Sequence, residues 1–429
     1  VLLFLPGICL AQQRGNPPVD MEAFIERLFP VQDEDIDYEA IYEALFQLYQ
    51  NPINLNQANS EVLQGSYLLS PLQVGNFLSY REKFGPLISI YELQAIPEFD
   101  LALIEALVPF VTLGDINRKP VPFWQRLKQE ENAYLLLRHR RTWERRRGFT
   151  PADTLSSGRL STRYLGDPNE LYLRFRIQHP RDFSLGVTLE KDAGEQFTWD
   201  GKTARYGFNF FSFHFTRYQV GKWRTIALGD FQASFGQGLV FGAGYTLGKG
   251  AETVPTVRRS SIGILPYTAA LEFGFFRGLG LTRQWKNWTV TAIASRAPRD
   301  GRIASTIDTL ENVMETISSL SQTGLHRTLS EISTKNQIRE SNLGANLQYI
   351  HPLGRWQIGA NALSTRFDLT WVRNQRVYNS QEFSGNSTGV ASLYFNYNWK
   401  NFFLFGESAI SQSRGTGTVL GLVSSLSKE

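Results

Sequence analysis

The stretch Leu171-Tyr-Leu-Arg-Phe-Arg-Ile-Gln178 alternates strictly: Leu171, Leu173, Phe175 and Ile177 fall on one side of an extended chain, and Tyr172, Arg174, Arg176 and Gln178 on the other. The pattern recurs outward from it. Phe183, Leu185, Val187 and Leu189 oppose Ser184, Gly186, Thr188 and Glu190. Further along, Leu343, Ala345, Leu347 and Tyr349 oppose Asn342, Gly344, Asn346 and Gln348. Leu393, Phe395, Tyr397 and Trp399 oppose Ser392, Tyr394, Asn396, Asn398 and Lys400. Such segments of alternating polarity are the signature of an antiparallel transmembrane β-barrel. No apolar run reaches the roughly 18 residues of a transmembrane helix, which excludes that class.

A soluble sandwich also alternates, so the connections decide. Four are short, polar and flanked by aromatics: Tyr218 to Trp223, Trp285 to Trp288, His351 to Trp356 and Trp399 to Phe402. Such turns suit a periplasmic rim with its aromatic girdle. Between them lie long connections at about 243–267, 298–340 and 368–387. Alternation of short and long connections predicts an outer-membrane barrel over 131–429. The same parity makes His179 to Phe183 periplasmic, Asp192 to Thr203 extracellular, and Glu131 to Arg147 an outgoing first strand. Eleven strands are legible, and a twelfth begins near Thr416. The apolar phase slips at Phe210-Phe211, which predicts a β-bulge. Ser427-Lys428-Glu429 lacks the terminal aromatic of many barrels, so a barrel truncated at its C-terminus is expected.

Upstream the period changes from 2 to 3.6. The segment 51–113 reads NPINLNQANSEVLQGSYLLSPLQVGNFLSYREKFGPLISIYELQAIPEFDLALIEALVPFVTL. Ser70-Pro71 predicts an N-cap followed by proline at the first helical position. Ser89 with Glu92 makes a capping box for a short helix that Pro97 stops, and Asp100 caps a last helix. Ile53-Asn54-Leu55-Asn56 with Ala58, Tyr80-Arg81 with Gly85, and Tyr91-Glu92-Leu93 carry a resemblance to the ComEA-type helix-hairpin-helix domain. That resemblance implies a small all-α module, which in DNA-binding members grips a phosphate with hairpin backbone N–H groups. The hairpin positions here are Leu68, Leu69 and Ser70 in the first turn and Ile96 and Glu98 in the second. The first has no glycine and Pro71 removes a donor, while the second places Glu98 and Asp100 where a phosphate would sit. With two basic residues against six acidic ones, the module carries a net charge of −4, which disfavours a duplex.

The overall charge of +4 conceals a division along the chain. Residues 19–50 hold nine acids and one base, and from Gly114 onward the net is +15. Residues 12–50 read as an acidic segment with helices at Asp20 to Phe29 and about Asp37 to Tyr49, and 114–130 as a linker. Residues 1–11 resemble the tail of a secretory signal. Cys9 is the only cysteine, so neither a disulfide framework nor a thiolate metal site is expected.

Three further stretches, Glu190 to Glu195, Leu228 to Leu239 and Thr323 to Glu331, extend a resemblance to Bacteroidetes outer-membrane proteins in which a helix-hairpin-helix module precedes a barrel. That group implies architecture rather than an activity. The polar residues singled out are Arg174, Arg176, Glu190, Asp192, Glu195, Asp230, Glu272, His326, Arg327 and Glu331. One reading makes them a network of ion pairs inside the barrel, with Arg174 and Arg176 serving Glu190 and Glu272. The other makes the His326-Arg327 loop a gate folded over the lumen. The run Arg138 to Arg147 is expected at the outer rim, facing lipopolysaccharide phosphates. His214 near Ser212, and His326 near Ser330, do not have the spacing of a triad, and no phosphate loop, zinc pattern or calcium loop is present. The expectation is a non-enzymatic outer-membrane protein without cofactor, whose periplasmic module docks a protein partner or covers the barrel mouth. DNA uptake is the alternative, and hydrolysis at the outer leaflet a third class.

Overall fold

The computed structural model describes residues 49, 52–65, 68–113, 121–179, 182–200, 205–242, 258–259, 261–307, 313–372, 377 and 382–424. The expected signal remnant, the helix at Asp20 to Phe29 and all of the next one except Tyr49 lie outside them.

Twelve long strands among the described residues form one antiparallel meander: β1 (Ala133–Arg141), β2 (Asn169–His179), β3 (Phe183–Lys191), β4 (Phe210–Val220), β5 (Trp223–Phe235), β6 (Phe276–Trp285), β7 (Trp288–Arg299), β8 (Ile338–Ile350), β9 (Trp356–Trp371), β10 (Gly385–Trp399), β11 (Phe402–Ser411) and β12 (Thr416–Ser424). Each pairs with its neighbours in sequence, and β1 and β12 form the two edges of a sheet that does not close on itself among the described residues.

The polarity of this sheet is inverted relative to a soluble protein. Along β10, Ser392, Tyr394, Asn396 and Asn398 are buried, whereas Leu393 is 70% exposed and Phe395, Tyr397 and Trp399 are exposed with it. Likewise Asn342, Asn346 and Gln348 of β8 are buried while Leu343 and Leu347 face outward. A water-facing sheet would lose the transfer energy of every outward leucine. In lipid the outward row is the solvated one, and the polar row faces the concave interior.

Aromatics fix one rim. Trp288 lies opposite Tyr349, and Trp356 opposite Tyr397. Ring centroids are 5.0 Å apart for Trp288–Tyr349, 5.4 Å for Tyr349–Trp356 and 5.8 Å for Trp399–Phe402. The tight turns there use positive φ at Lys286 (50°), Lys400 (53°) and Gly354 (70°), the conformation that matches the twist of hairpin strands. A short helix at Phe123–Lys128 packs on the outer wall at this rim, its Phe123 ring 5.5 Å from Phe183 and 6.0 Å from Phe215.

Two sequence expectations change. Phe210-Phe211 is no bulge: β4 stays in register with β3 from Phe183↔Arg217 to Glu190↔Phe210. Phe210 is buried because it packs inward on Tyr267 and Phe275, while Phe211 points outward. The first strand ends at Arg141, not Arg147. Its partner begins only at Asn169, after Pro168, which has no N–H to give a ladder. Beyond Arg141 the arginines are exposed; Arg147 reaches Asp153 at 3.4 Å.

The N-terminal helical unit contains α1 (Ser60–Gly65), α2 (Pro71–Phe84), a 3-10 turn at Ile90–Ala95 and α3 (Leu101–Leu107). The caps follow the local chemistry. Ser70 and Gln73 form one capping box, Ser89 and Glu92 another, and Asp100 accepts from the Leu103 N–H at 2.8 Å. Leu55, Val74, Phe77, Leu93 and Phe110 are essentially inaccessible. Two polar side chains hold the unit together. Asn56 bonds the N–H and C=O of Leu87 and the C=O of Leu113 at 2.8–2.9 Å. Arg81 donates to the carbonyls of Leu55 and Ala58, both at 2.6 Å.

Candidate functional site

Three places on the concave side bring chemistry-bearing residues together: the mouth under the helical unit, an in-folded segment within the barrel, and a cluster at the rim of long connections.

At the tight-turn rim the helical unit sits on inward-facing residues. Asn59 Nδ2 donates to Gln357 Oε1 at 3.3 Å, and Asn398 Nδ2 to the Pro71 carbonyl at 3.5 Å. The Ser60 N–H donates to the Gly354 carbonyl at 3.0 Å, and Arg355 pairs with Glu82 at 2.5 Å. A Cβ on Gly75 would lie 2.6 Å from the Lys400 carbonyl, so α2 approaches that turn as closely as only glycine allows. Of the hairpin positions, Ser70 is engaged as the cap of α2, at the end of the helix that meets the barrel. Leu69 and Ile96 are buried in the unit's core with Leu68 packed beside them, and Glu98 is exposed with φ 70°.

Within the barrel, β5 leaves the wall. Its pairing with β4 ends at His214↔Gly229, and with β6 at Phe231↔Phe276; past that point it pairs with Gly263–Pro266. Gly229 has φ 86°, and a Cβ there would lie 2.3 Å from the Phe213 carbonyl. Asp230 secures the bend: it accepts Arg277 Nε at 2.6 Å, Arg277 Nη2 at 2.8 Å and the Phe213 N–H at 3.3 Å. The departing segment reaches Glu407 of β11, six strands away in the sheet, so it crosses the concave interior. Glu407 is 2% exposed. Its Oε2 accepts the N–H groups of Gln237 at 2.7 Å and Leu239 at 3.1 Å, and its Oε1 accepts Ser392 Oγ at 2.5 Å and Asn361 Nδ2 at 3.3 Å. Phe231, Phe235, Phe241 and Ile264 fill the space between, against Ile293 and Tyr394 of the walls. A segment beginning at Gly229, separate from the His326-Arg327 loop, thus occupies the concave interior.

The third place is the opposite rim, where the connections after β1, β3, β5 and β7 converge. Glu195 is 1% and His326 2% exposed. Glu195 Oε1 accepts the His326 N–H at 2.8 Å, and Oε2 accepts the Asp192 N–H at 2.9 Å. His326 Nε2 lies 2.5 Å from Asp300 Oδ2, and the other Asp300 oxygen accepts the Asn336 N–H at 2.8 Å. The Arg327 carbonyl accepts the Leu165 N–H at 2.8 Å, its guanidinium lies over the Tyr164 ring, and Glu331 holds its Nη2 at 2.9 Å. Burial would lower the His326 pKa, but its bond to Asp300 and the adjacent Glu195 carboxylate outweigh that and raise it to about 9. Burial raises Glu272 to about 8 despite the nearby charges of His326 and Lys335. Burial also raises Asp192, with the Glu195 and Glu170 charges adding to it, whereas hydrogen bonds from His326 bring Glu195 and Asp300 below their usual range against their burial.

The sequence-derived residues thus divide. Asp192, Glu195, Glu272, His326, Arg327 and Glu331 share the rim cluster, and Asp230 belongs to the in-folded segment. Glu272 faces His326 and Lys335, and Arg138 faces Glu190. Arg174 donates to the Thr268 carbonyl and stacks on Tyr172, and Arg176 is buried on the inner face. Sequence reasoning missed Glu407, Asp300 and Lys335. The signal for Glu407 was a lone carboxylate in Phe402-Phe-Leu-Phe-Gly-Glu-Ser-Ala-Ile410. His214 bonds Ser184 at 3.0 Å rather than Ser212, deep in the barrel, and its other partner is the backbone of Tyr267 instead of a carboxylate. An apolar hollow of about 750 Å³ lies on the outward wall over Leu279, Ala292, Leu343, Ala345 and Ile410 and holds no titratable group.

No protein-family profile and no curated protein matches the sequence. Among solved structures the chain is similar to OmpT, an outer membrane protein of Vibrio cholerae, at 10% identity over 63% of this chain and 77% of that one, with a TM-score of 0.23. It is also similar to the siderophore receptor PirA from Pseudomonas aeruginosa, at 13% identity over 61% of this chain and 42% of that one, with a TM-score of 0.29. OccK2 from Pseudomonas aeruginosa matches at 13% identity over 57% of this chain and 58% of that one, with a TM-score of 0.18. The β-barrel reading rests on the chain's own inverted sheet.

Proposed function

We propose that this is a non-enzymatic outer-membrane β-barrel protein whose N-terminal unit is a ComEA-like helix-hairpin-helix module acting as a plug over the periplasmic mouth, in transport or envelope assembly. The observation that carries the reading is the attachment of that unit to inward-facing Gln357 and Asn398 and to the turn at Gly354-Arg355. Short turns face the periplasm in outer-membrane barrels, which supports a periplasmic position for the unit. The in-folded segment anchored on Glu407 gives the lumen a second obstruction, so the protein is closed at rest and needs a partner or substrate to open it. The exposed acidic surface of the unit, with Glu98 and Glu105 outside its core, is the docking face for a basic periplasmic protein.

The module's resemblance to DNA-binding relatives does not extend to its surface, because the α2 end of the first hairpin meets the barrel and the second presents Glu98 and Asp100. Full-length protein in detergent, titrated against labelled single-stranded and duplex DNA by fluorescence anisotropy at low salt, separates the readings. The plug reading predicts no binding at micromolar protein, and a closed state in planar-bilayer recordings. Salt-sensitive micromolar binding would make DNA uptake the function instead.

A further inference from the structure

We propose that Glu272, Asp300 and His326 at the long-connection rim form a binding site for one divalent transition-metal cation of the zinc class. One ligand atom from each, the His326 imidazole and the two carboxylates, lies within 4.8 Å of the others. A tetrahedral cation with bonds of about 2.0–2.1 Å needs its ligand atoms roughly 3.3 Å apart, so small side-chain shifts complete the site. His326 Nε2 and Asp300 Oδ2, now hydrogen-bonded at 2.5 Å, would open by somewhat under an ångström as the cation displaces the proton between them.

The surroundings supply what an ion-pair hub alone would not require. The other ring nitrogen, Nδ1, faces Glu195 Oε1 at 3.5 Å and forms no regular hydrogen bond, although the His326 side chain is 1% exposed. A carboxylate behind the distal nitrogen of a ligating imidazole fixes its tautomer and raises its basicity. Glu195 is itself held by two backbone N–H groups, those of His326 and Asp192, and Asp300 by the N–H of Asn336. The outer carboxylate Glu195 and the ligand Asp300 are therefore both oriented before any cation arrives. Gly324 (φ 66°) lets Glu272 in: a Cβ there would lie 2.8 Å from the Glu272 Cγ. Two carboxylates balance a divalent charge. An imidazole in a set of three protein ligands favours zinc-class ions over calcium, which takes six to eight oxygens. The fourth position is left for water or for an oxygen or nitrogen donor of an external ligand. The ion would join the connections after β3, β5 and β7, which carry Glu195, Glu272 and the Asp300 and His326 pair.

The test uses the full chain, purified in detergent and stripped with EDTA, then dialysed against zinc with bound metal counted by mass spectrometry. Cobalt, with its visible absorption, reports the coordination. The expected result is one zinc per chain, with affinity reduced at least about 100-fold in His326→Gln and in Glu272→Gln, and roughly 10- to 100-fold in Glu195→Gln by loss of the outer carboxylate. Glu272→Gln keeps the side-chain shape, and matching strand content by circular dichroism shows that it folds. His351→Gln, on the opposite rim, should bind zinc as the parent does. Binding that survives both ligand substitutions, or a parent chain that takes up no zinc at about 100 µM, overturns the proposal.

Discussion

Replacing Glu407 by glutamine tests whether the in-folded segment is held across the lumen by one carboxylate. Four donors converge on it: Gln237 N–H, Leu239 N–H, Ser392 Oγ and Asn361 Nδ2. Hydrogen bonds to an ionised acceptor contribute about 1.5–3 kcal/mol each, and neutral ones about 0.5–1.5 kcal/mol. The amide of glutamine keeps one oxygen for the two backbone N–H groups. Its NH2 then faces Asn361 Nδ2, a second donor, and one wall contact is lost. Weakening the two backbone bonds from the charged to the neutral range costs about 2–3 kcal/mol, a factor of roughly 30 to 140 in the opening equilibrium of the segment. Hydrogen exchange in micelles reads it directly: amides of 233–242 should exchange faster by about that factor while those of β8 and β9 keep their rates. Glu407→Ala, which leaves the donors bare, should exceed it and raise single-channel conductance. Exchange within twofold of the parent in both variants would refute the anchoring role.

Other expectations follow from the same contacts. Gly229→Ala puts a Cβ about 2 Å from the Phe213 carbonyl, as the 2.3 Å approach requires, so it should destabilise the bend by about 1–3 kcal/mol and lower the melting temperature in detergent. His326 has a folded-state pKa raised from its ordinary 6.5 to about 9, so the stability it gives the rim is full below pH 6.5 and falls away as pH rises through 9. In EDTA, proteolysis or hydrogen exchange around 190–195 and 323–331 should accelerate between pH 7 and 9.5, and a flat profile would contradict the ion-pair geometry. Arg355→Glu sets two carboxylates against each other at the Glu82 contact and should raise basal conductance; Glu82→Arg in the same chain should restore closure.

The fold was readable where chemistry is local. Alternation in 171–178 and 392–400 separates the two faces seen in β2 and β10, because the strand period is 2 whatever the tertiary context. The caps at Ser70, Ser89 and Asp100 were legible for the same reason. Phe210-Phe211 misled because an aromatic on the inner face breaks the polar-inside rule without breaking the register: Tyr267 and Phe275, brought by a distant connection, give Phe210 an apolar neighbourhood. The rim cluster was half legible. Glu195, Glu272 and His326 were among the polar residues singled out, but Asp300 lay in a long connection with nothing in its spacing to mark its place beside His326, 26 residues on. The crossing of the lumen by the segment after Gly229 depends on a partner about 170 residues downstream, beyond the reach of any pattern in the chain.

The central claim, that the helical unit is seated on the mouth of the barrel, is tested most directly by crosslinking. Glu82 and Arg355 touch at 2.5 Å, and the sequence has a single cysteine, Cys9. A chain carrying Glu82→Cys and Arg355→Cys, with Cys9 replaced by alanine, would be treated in intact membranes with a short bis-methanethiosulfonate, each end of which forms a disulfide with a cysteine and expels methanesulfinate. The account predicts rapid intramolecular crosslinking, seen as a mobility shift reversed by reduction, and conductance that stays low until the link is cut. The absence of a crosslink with a linker of about 10 Å, in a barrel shown to be folded, would contradict it.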